Sequence, residues 1–277
     1  PDSAIMDNET GNASTSQGSE PVSTGPPGPE NSGSDTNSTA RMQAESSGSQ
    51  AVRASSANGW TEVNISAAFP GRYEHTLTAF KNRLWVIGGR TGTSTYYNDI
   101  WYSPDGNQWS RVEPPAPFSA RSGHAVLVYN DRMWLIGGFD GNTFLNDVWS
   151  SDDGITWSRV PVTTSLPGRY VFMATVFDNR MWLMGGENPT GCTNDVWYSG
   201  DGVDWTEATA HAGFSPRAFS RAVAFNDKLW VIGGGTGTVA NLNDIWSSSD
   251  GVTWEQVLSA APFEARRNHA VTVYDNR

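Results

Sequence analysis

The sequence contains only one cysteine, Cys192, among its 277 residues, and it has no uninterrupted apolar run of 18 residues. A single cysteine excludes an internal disulfide and any zinc site built from several cysteines. The lack of a long apolar run argues against a membrane-spanning helix. Positive charge is also scarce, because 18 lysines and arginines face 29 aspartates and glutamates. The net charge of −11 therefore disfavours nucleic acid and anionic membrane surfaces as partners.

The first 58 residues have no aromatic side chain and no apolar periodicity. They are rich in serine, glycine, asparagine, threonine and proline, a composition that cannot bury enough apolar surface to offset chain entropy. We therefore predict that residues 1–58 form a disordered linker. A long linker of this composition favours an extracellular or cell-surface location. The chain also contains four Asn-x-Ser/Thr sequons, but three of them lie in this tail, where chance supplies them easily. The sequons begin at Asn8, Asn12, Asn37 and Asn64.

Residues 59–277 consist of a repeated unit. Paired glycines recur every 48 or 49 residues, and all 13 tryptophans fall at three positions of the unit. A bulky residue that recurs in register implies a recurring packing pocket. The period is typical of a four-stranded propeller blade. The glycine pairs are Gly88-Gly89, Gly137-Gly138, Gly185-Gly186 and Gly233-Gly234.

Each unit predicts four short strands, which we call A to D. A polar turn such as Asn130-Asp131-Arg132 separates A from B, the paired glycines end B, and a variable loop of seven or eight residues follows. Strand C begins at an Asn-Asp pair, and an Asp-Gly turn leads into strand D. The full repeats span about 72–112, 121–160, 169–207 and 217–257, and a partial one spans 266–277.

Three segments of the second unit resemble a kelch repeat of the galactose-oxidase-like propeller superfamily: Arg121-x-x-His124, Met-Trp-Leu-Ile-Gly-Gly at 133–138 and Asn-Asp-Val-Trp at 146–149. The resemblance implies an all-β, kelch-type β-propeller of four-stranded blades packed face to face. A lone strand D at 60–63 and a lone strand A at 270–274 would flank the four full blades. We therefore expect an incomplete arc, completed by further blades from missing sequence or from a partner chain.

Strand alternation places the variable B–C loops and the D–A links on one face, which we call the loop face. Variable loops on a rigid scaffold are where binding residues concentrate. Aromatic rings there would either stack on sugars or pack loop against loop, and the sequence leaves both readings open. The candidates on this face are Arg90, Tyr96, Tyr97, Phe139, Asp140, Asn142, Phe144, Glu187, Asn188, Cys192, His211 and Phe214.

An arginine opens each unit and lies at the start of strand A, the strand expected nearest the propeller axis. Five arginines would therefore converge at the mouth of the central channel, where their planar donors could bind a carboxylate. The kelch resemblance implies the same role, because kelch adaptors capture acidic peptides with arginines near this mouth. Alternatively, each arginine pairs with the aspartate that opens a strand C. These arginines are Arg72, Arg121, Arg169, Arg217 and Arg266.

Histidines open strand A in three units, as His75, His124 and His269. Three imidazoles around an axis would suggest a metal site, but Phe172 and Ser220 take the same place in other units. A copper radical site would need a Cys–Tyr crosslink, and Cys192 and Tyr198 stand at opposite ends of one strand. We expect neither a metal nor another cofactor.

These observations favour a non-catalytic extracellular or surface binding module that recognises a glycan or a protein partner through the loop face. The alternative is a carbohydrate-active enzyme, such as a sugar-acid mutarotase of kelch type. Such an enzyme needs an acid or base at one unit only, and Glu187 is the best candidate. The matching residues of the other units are Arg90, Phe139 and Gly235.

Overall fold

The computed structural model describes residues 62–63, 67–164, 166–237 and 240–275. Within these residues the chain forms eighteen strands and no helix, which confirms the all-β prediction. Consequently the described part of the chain contains no helix that could cross a membrane. The predicted linker, residues 1–58, lies outside the described residues, and so do Trp60 and Thr61 of the predicted first strand.

Four antiparallel sheets of four strands follow one another along the chain, and each sheet is one blade. The predicted four-bladed propeller arrangement is thereby confirmed. Blade 1 contains β1 (Thr76–Phe80), β2 (Arg83–Ile87), β5 (Ile100–Ser103) and β6 (Ser110–Arg111), with a small hairpin of β3 (Arg90–Thr91) and β4 (Thr95–Tyr96) beside it. Blade 2 contains β7 (Ala125–Tyr129), β8 (Arg132–Phe139), β9 (Phe144–Ser151) and β10 (Ser158–Val160). Blade 3 contains β11 (Met173–Phe177), β12 (Arg180–Asn188), β13 (Gly191–Ser199) and β14 (Thr206–Thr209). Blade 4 contains β15 (Arg221–Phe225), β16 (Lys228–Gly235), β17 (Asn241–Ser248) and β18 (Glu255–Leu258).

The paired glycines do not end strand B in blades 2 to 4, contrary to the prediction. The register shifts between Ile136 and Gly138, so the pair forms a bulge and the strand continues to Phe139. Gly138 has a φ of +103°, and a Cβ there would lie 2.9 Å from the Cβ of His124. Glycine is thus required both for its backbone angle and for close approach. Most of the predicted loop is therefore a β-hairpin that projects above the blade.

Blades 1 to 3 each pack their tryptophan-bearing face on the blade that follows. Between blades 1 and 2, Trp85 and Ile87 meet Met133 and Leu135 in one buried cluster. The Trp85 ring lies over Gly154, the glycine of the next blade's Asp-Gly turn. The same arrangement joins Trp134 to Gly202 and Trp182 to Gly251.

The corresponding face of blade 4 is less covered. Trp230, Ile232 and Ile245 are half-buried, whereas the matching Trp85, Ile87 and Ile100 are buried. Residues 270–274 form no strand, contrary to the prediction, because no second strand pairs with them among the described residues.

Candidate functional site

The arginine that opens each full repeat is clamped by the aspartate that opens strand C. Arg121 donates from Nη1 and Nη2 to the two carboxylate oxygens of Asp147, at 2.6 and 2.9 Å, and from Nη1 to the carbonyl of Gly137 at 3.0 Å. The indole Nε1 of Trp149 donates to the same carboxylate at 2.7 Å. Burial alone would raise the pKa of Asp147, but the Arg121 guanidinium outweighs it and holds this pKa below its usual range. The equivalent pairs are Arg72–Asp99, Arg169–Asp195 and Arg217–Asp244.

These clamps bear directly on the predicted arginine rim. The side chains of Arg72, Arg121, Arg169 and Arg217 are all buried, and their forked donors are already engaged by protein acceptors. The fifth arginine, Arg266, is exposed and donates from Nε to the carbonyl of Glu264. The geometry supports the structural alternative, and a role of the five arginines in ligand binding stays a prediction.

A chain of backbone hydrogen bonds runs around the channel mouth from blade to blade. The amide of Gly123 donates to the carbonyl of Glu74 at 2.9 Å, and the amide of Val171 donates to the carbonyl of Gly123 at 2.8 Å. The series continues from Phe219 to Val171 and from Asn268 to Phe219. All five residues have a positive φ, between 48° and 59°. The repeat therefore holds one residue per unit in a left-handed conformation at the mouth, and the side chains at this position differ in every unit.

Four residues from three blades form one network, in which three side chains donate hydrogen bonds to the Glu74 carboxylate. Arg90 donates to both of its oxygens, at 2.8 and 3.0 Å, and Ser122 Oγ donates to Oε2 at 2.9 Å. The Tyr170 hydroxyl donates to the same oxygen at 2.5 Å and accepts from Arg90 Nη2 at 3.1 Å. Burial, together with the Glu74 carboxylate, raises the pKa of Tyr170. Of these four residues only Arg90 was predicted as a site residue.

A line of aromatic rings crosses the loop face beside this network. Tyr96 contacts Phe139 with ring centroids 6.1 Å apart, and Phe139 contacts Phe144 at 5.0 Å and Tyr170 at 5.8 Å. Tyr170 in turn contacts Phe219 at 6.1 Å. We call these five residues the aromatic strip. The loops thus pack against one another through their aromatic residues, and every ring of the strip except Tyr170 remains half-buried rather than buried.

Arginines flank both ends of the aromatic strip. The Arg90 guanidinium lies 4.9 Å from the ring centroid of Tyr73 and 5.9 Å from that of Tyr96. At the other end the Arg267 guanidinium lies 5.6 Å from the ring of Phe219. Arg90 is neutralised by Glu74, whereas Arg267 is exposed and donates to the carbonyl of Gly237 at 3.3 Å. The strip therefore has one positively charged end open to solvent.

Other predicted residues support the hairpins of the loop face. Asp140 accepts hydrogen bonds from the amides of Asn142 and Thr143, and Asn188 accepts from Thr190. Both contacts close the tip of a hairpin.

The remaining candidates lie in three different environments. The Tyr97 ring lies 4.2 Å from the Arg72 guanidinium, so it packs against a clamp. His211 is exposed, whereas Phe214 is fully buried against Trp254 between blades 3 and 4. Phe214 is therefore a core residue.

Glu187, the candidate acid or base, faces Cys192 across the hairpin of blade 3. Burial, followed by the Glu187 carboxylate, raises the pKa of the Cys192 thiol. The backbone of Glu187 pairs with that of Tyr170. This position lies on the loop face, as predicted, and its catalytic role stays a prediction.

The channel mouth holds a cavity of about 370 Å³. His75 and His124 line it, and Thr76 Oγ1 lies 3.5 Å from His124 Nε2. Burial and the nearby arginines lower the pKa of both histidines. Within the residues described, no three His, Cys, Asp or Glu side chains are grouped so that they could hold a metal ion.

The residues predicted for the site do not include Glu74, Ser122, Tyr170 and Phe219. All four occupy the first or second position after a strand-opening arginine, where the residue type changes from unit to unit. That variation within an otherwise regular repeat was the available signal. The prediction rested on the longer B–C loops and D–A links, and these positions lie outside them.

One comparison identifies a family. The family model described as the KLHDC2/KLHL20/DRC7 Kelch-repeats domain matches residues 51–167 and 75–277. Together the two overlapping matches cover well over half of the chain. No curated protein matches the chain.

Proposed function

Because the chain belongs to the kelch-repeat family, we propose that it is a protein-interaction module that binds its partner through the loop face. The observation that carries this proposal is the aromatic strip. Its rings come from blades 1 to 4 and occupy positions that vary between repeats, so blade packing alone does not account for their identity. A residue that packs the blades recurs in every repeat, whereas a residue that binds a partner is expected to differ between repeats, as these rings do.

The chemistry of the strip fits a protein surface. Half-buried tyrosine and phenylalanine supply large contact areas at a low cost in side-chain entropy, and arginine is enriched with them at interfaces. Each ring is held by its neighbours, so the surface is formed before a partner arrives. We infer that the partner offers apolar side chains to the strip and an acidic group near Arg267.

Glycan recognition and sugar-acid turnover find less support on this face. The rings of the strip contact each other, so part of each face is unavailable for stacking on a sugar. Four of the five arginines that a mutarotase would use already bind aspartates.

The experiment places a photo-crosslinking amino acid at Phe139 or Phe219, one at a time, in the full chain expressed in its native cells. The matched control carries it at Phe225, which is also half-buried but lies by the A–B turn of blade 4, on the opposite face. We expect a protein adduct from both loop-face positions and none from the control. Adducts of equal yield from Phe225 would contradict the proposal. If the protein binds glycans on an array and Phe139→Ala abolishes that binding, the partner of the loop face is a glycan and not a protein.

We further propose an extracellular or cell-surface location, supported by the composition of residues 1–58 and by the four sequons. Treatment of the native protein with an N-glycosidase tests this location. A fall in apparent mass is expected, and a mass that does not change, together with cytosolic fractionation, would contradict it.

A further inference from the structure

A tyrosine hydroxyl joins blades 2 and 3 on the face opposite to the loop face, which we call the turn face. Strand β7 of blade 2 ends at Tyr129, which is buried. Its hydroxyl lies within hydrogen-bond distance of two carbonyls of blade 3, at 2.7 Å from that of Asn179 and 3.0 Å from that of Gly200. Asn179 belongs to the turn between β11 and β12, and Gly200 follows β13. One side chain therefore satisfies both turns of the next blade.

Between blades 1 and 2 a lysine lies at the corresponding place. Strand β1 ends at Phe80, which is buried but has no hydroxyl. The ammonium of the next residue, Lys81, lies 5.3 Å from the centroid of the Phe80 ring. Hydrogen bonding by Arg132 and, less strongly, the charge of Lys81 lower the pKa of Asp152, the counterpart of Gly200 in blade 2. The lysine charge thus acts on the same turn that contacts the tyrosine hydroxyl one blade further on.

Between blades 3 and 4 neither the hydroxyl nor the lysine is present. Strand β11 ends at Phe177, and the next residue is Asp178, an acid. Phe177 is half-buried, whereas Phe80 and Tyr129 are buried at the same register. A groove of about 570 Å³ lies at this place on the turn face. The repeat therefore leaves one of its three grooves open.

Two backbone carbonyls in this groove lose the donor that blade 2 supplies. The residues of blade 4 that correspond to Asn179 and Gly200 are Asp227 and Ser249, and both line the groove. Because position 177 carries phenylalanine, neither carbonyl can receive the hydrogen bond that tyrosine donates one blade earlier. The groove thus offers acceptors to a donor from outside the chain.

Acidic and aromatic side chains complete the lining. Asp178 and Asp227 are exposed, and none of the ion pairs in the described part of the chain includes them. Lys228, which follows Asp227, does not line the groove. The rings of Phe177 and Phe225 do line it, and an aromatic face attracts a cation. The groove therefore combines hydrogen-bond acceptors, negative charge and aromatic surface, which together suit a protonated amine on an aliphatic chain.

We propose that this groove binds a small aliphatic amine in its ammonium form. An ammonium group has three donors and no acceptor, which matches two carbonyls and one carboxylate. Its alkyl chain packs against the phenylalanine rings, and its charge takes the place that the Lys81 ammonium has beside the Phe80 ring. The net charge of −11 favours the encounter with a cation. The site lies on the turn face, so it does not depend on the partner binding proposed for the loop face.

A backbone-amide NMR titration of the full chain with n-butylammonium chloride tests the site, with sodium chloride holding the ionic strength constant. We expect saturable shifts of the Asp178 and Asp227 amide signals. n-Butanol carries the same alkyl chain without the charge, so at equal concentration it should shift these signals much less.

Three variants test the cause of the binding. Phe177→Tyr places in the groove the hydroxyl that blade 2 carries at this register, and it should weaken n-butylammonium binding about tenfold or more. Asp178→Lys copies Lys81 of blade 1 and should weaken binding at least as much. Phe80→Tyr is the matched control, because it adds the same hydroxyl to the groove that Lys81 already covers, and it should leave the affinity unchanged.

The absence of a saturable shift in the wild type, or equal shifts from n-butanol and n-butylammonium, would overturn the proposal. Wild-type affinity in a folded Phe177→Tyr variant would overturn it as well, and near-UV circular dichroism of the tryptophans shows whether the variant is folded. If it is not, Asp178→Lys, at an exposed position, decides in its place. In the wild type itself, n-butylammonium must shift the amide signals of Asp178 and Asp227 more than those of Asn130 and Asp131, in the corresponding turn of blade 2. The opposite order would refute the site.

Discussion

The four Asp-Gly turns offer an internal control for the packing between blades. Their glycines, Gly106, Gly154, Gly202 and Gly251, have nearly the same φ, between +74° and +78°. Alanine at any of them therefore meets a similar backbone strain, about 1–2 kcal/mol. Only the surroundings differ. A Cβ at Gly154 would lie 2.5 Å from the Trp85 ring, whereas the nearest atom to a Cβ at Gly106 is a methyl group of Leu84 at 3.6 Å.

The Trp85 ring cannot move aside at low cost. It is 1% exposed, and its Nε1 donates to the carbonyl of Phe80 at 3.0 Å. Overpacking in a well-filled core costs about 1–3 kcal/mol. Gly154→Ala should therefore lower the free energy of unfolding by about 1–3 kcal/mol more than Gly106→Ala does. Urea denaturation followed by tryptophan fluorescence measures both variants.

A double-mutant cycle isolates the contact between the ring and the turn. In a Trp85→Leu background the ring is absent, so the cost of Gly154→Ala should fall to that of Gly106→Ala. Equal losses for the two glycine variants in the wild-type background would refute the idea that each tryptophan requires a glycine in the next blade. An unchanged cost in the Trp85→Leu background would refute it as well.

Two further predictions concern a buried arginine and a buried histidine. Arg121→Met leaves the largely buried Asp147 carboxylate without its cation and should destabilise the protein by about 3–5 kcal/mol in urea denaturation. Arg132→Met removes a solvent-exposed pair and should cost much less. Equal losses would contradict the structural role of the clamps. Burial, with a contribution from Arg121, lowers the pKa of His124 to about 3, well below about 6.5 in the unfolded chain. The unfolded state then binds a proton that the folded state does not, so stability should fall as the pH drops from about 6.5 toward 3 and stay level above that window. His124→Phe, which copies Phe172 of blade 3, should flatten this slope between pH 7.5 and 5, and an unchanged slope would show that other groups cause it.

Much of the fold could be predicted because the repeat encodes it several times. The 48- or 49-residue spacing of the glycine pairs and tryptophans indicated the four-stranded blades, and the blades are present. The prediction that the paired glycines end strand B is wrong for blades 2 to 4, since a bulge and a strand end both need glycine. Hydrogen bonds beyond the bulge continue the strand. The sequence pattern alone does not distinguish a β-bulge from the end of a strand.

The channel-mouth network could not be predicted, because it joins residues that are distant in the chain and irregular within the repeat. Glu74 and Tyr170 are 96 residues apart, and the other units carry unrelated side chains at their positions. Their meeting depends on the curvature of the blades around the axis. The pairing of each strand-opening arginine with an aspartate could be foreseen as an alternative, since both residues recur in register.

The direction of the tryptophan contacts has a consequence for synthesis on the ribosome. Trp85, Trp134 and Trp182 each belong to one blade but are covered by the turn of the blade that follows. A chain that emerges from its N-terminus completes a sheet before the surface that shields its largest ring exists. Each newly made blade therefore exposes an apolar face to water until about one further repeat has been translated. Chaperones that recognise exposed aromatic surface would meet this protein once per repeat.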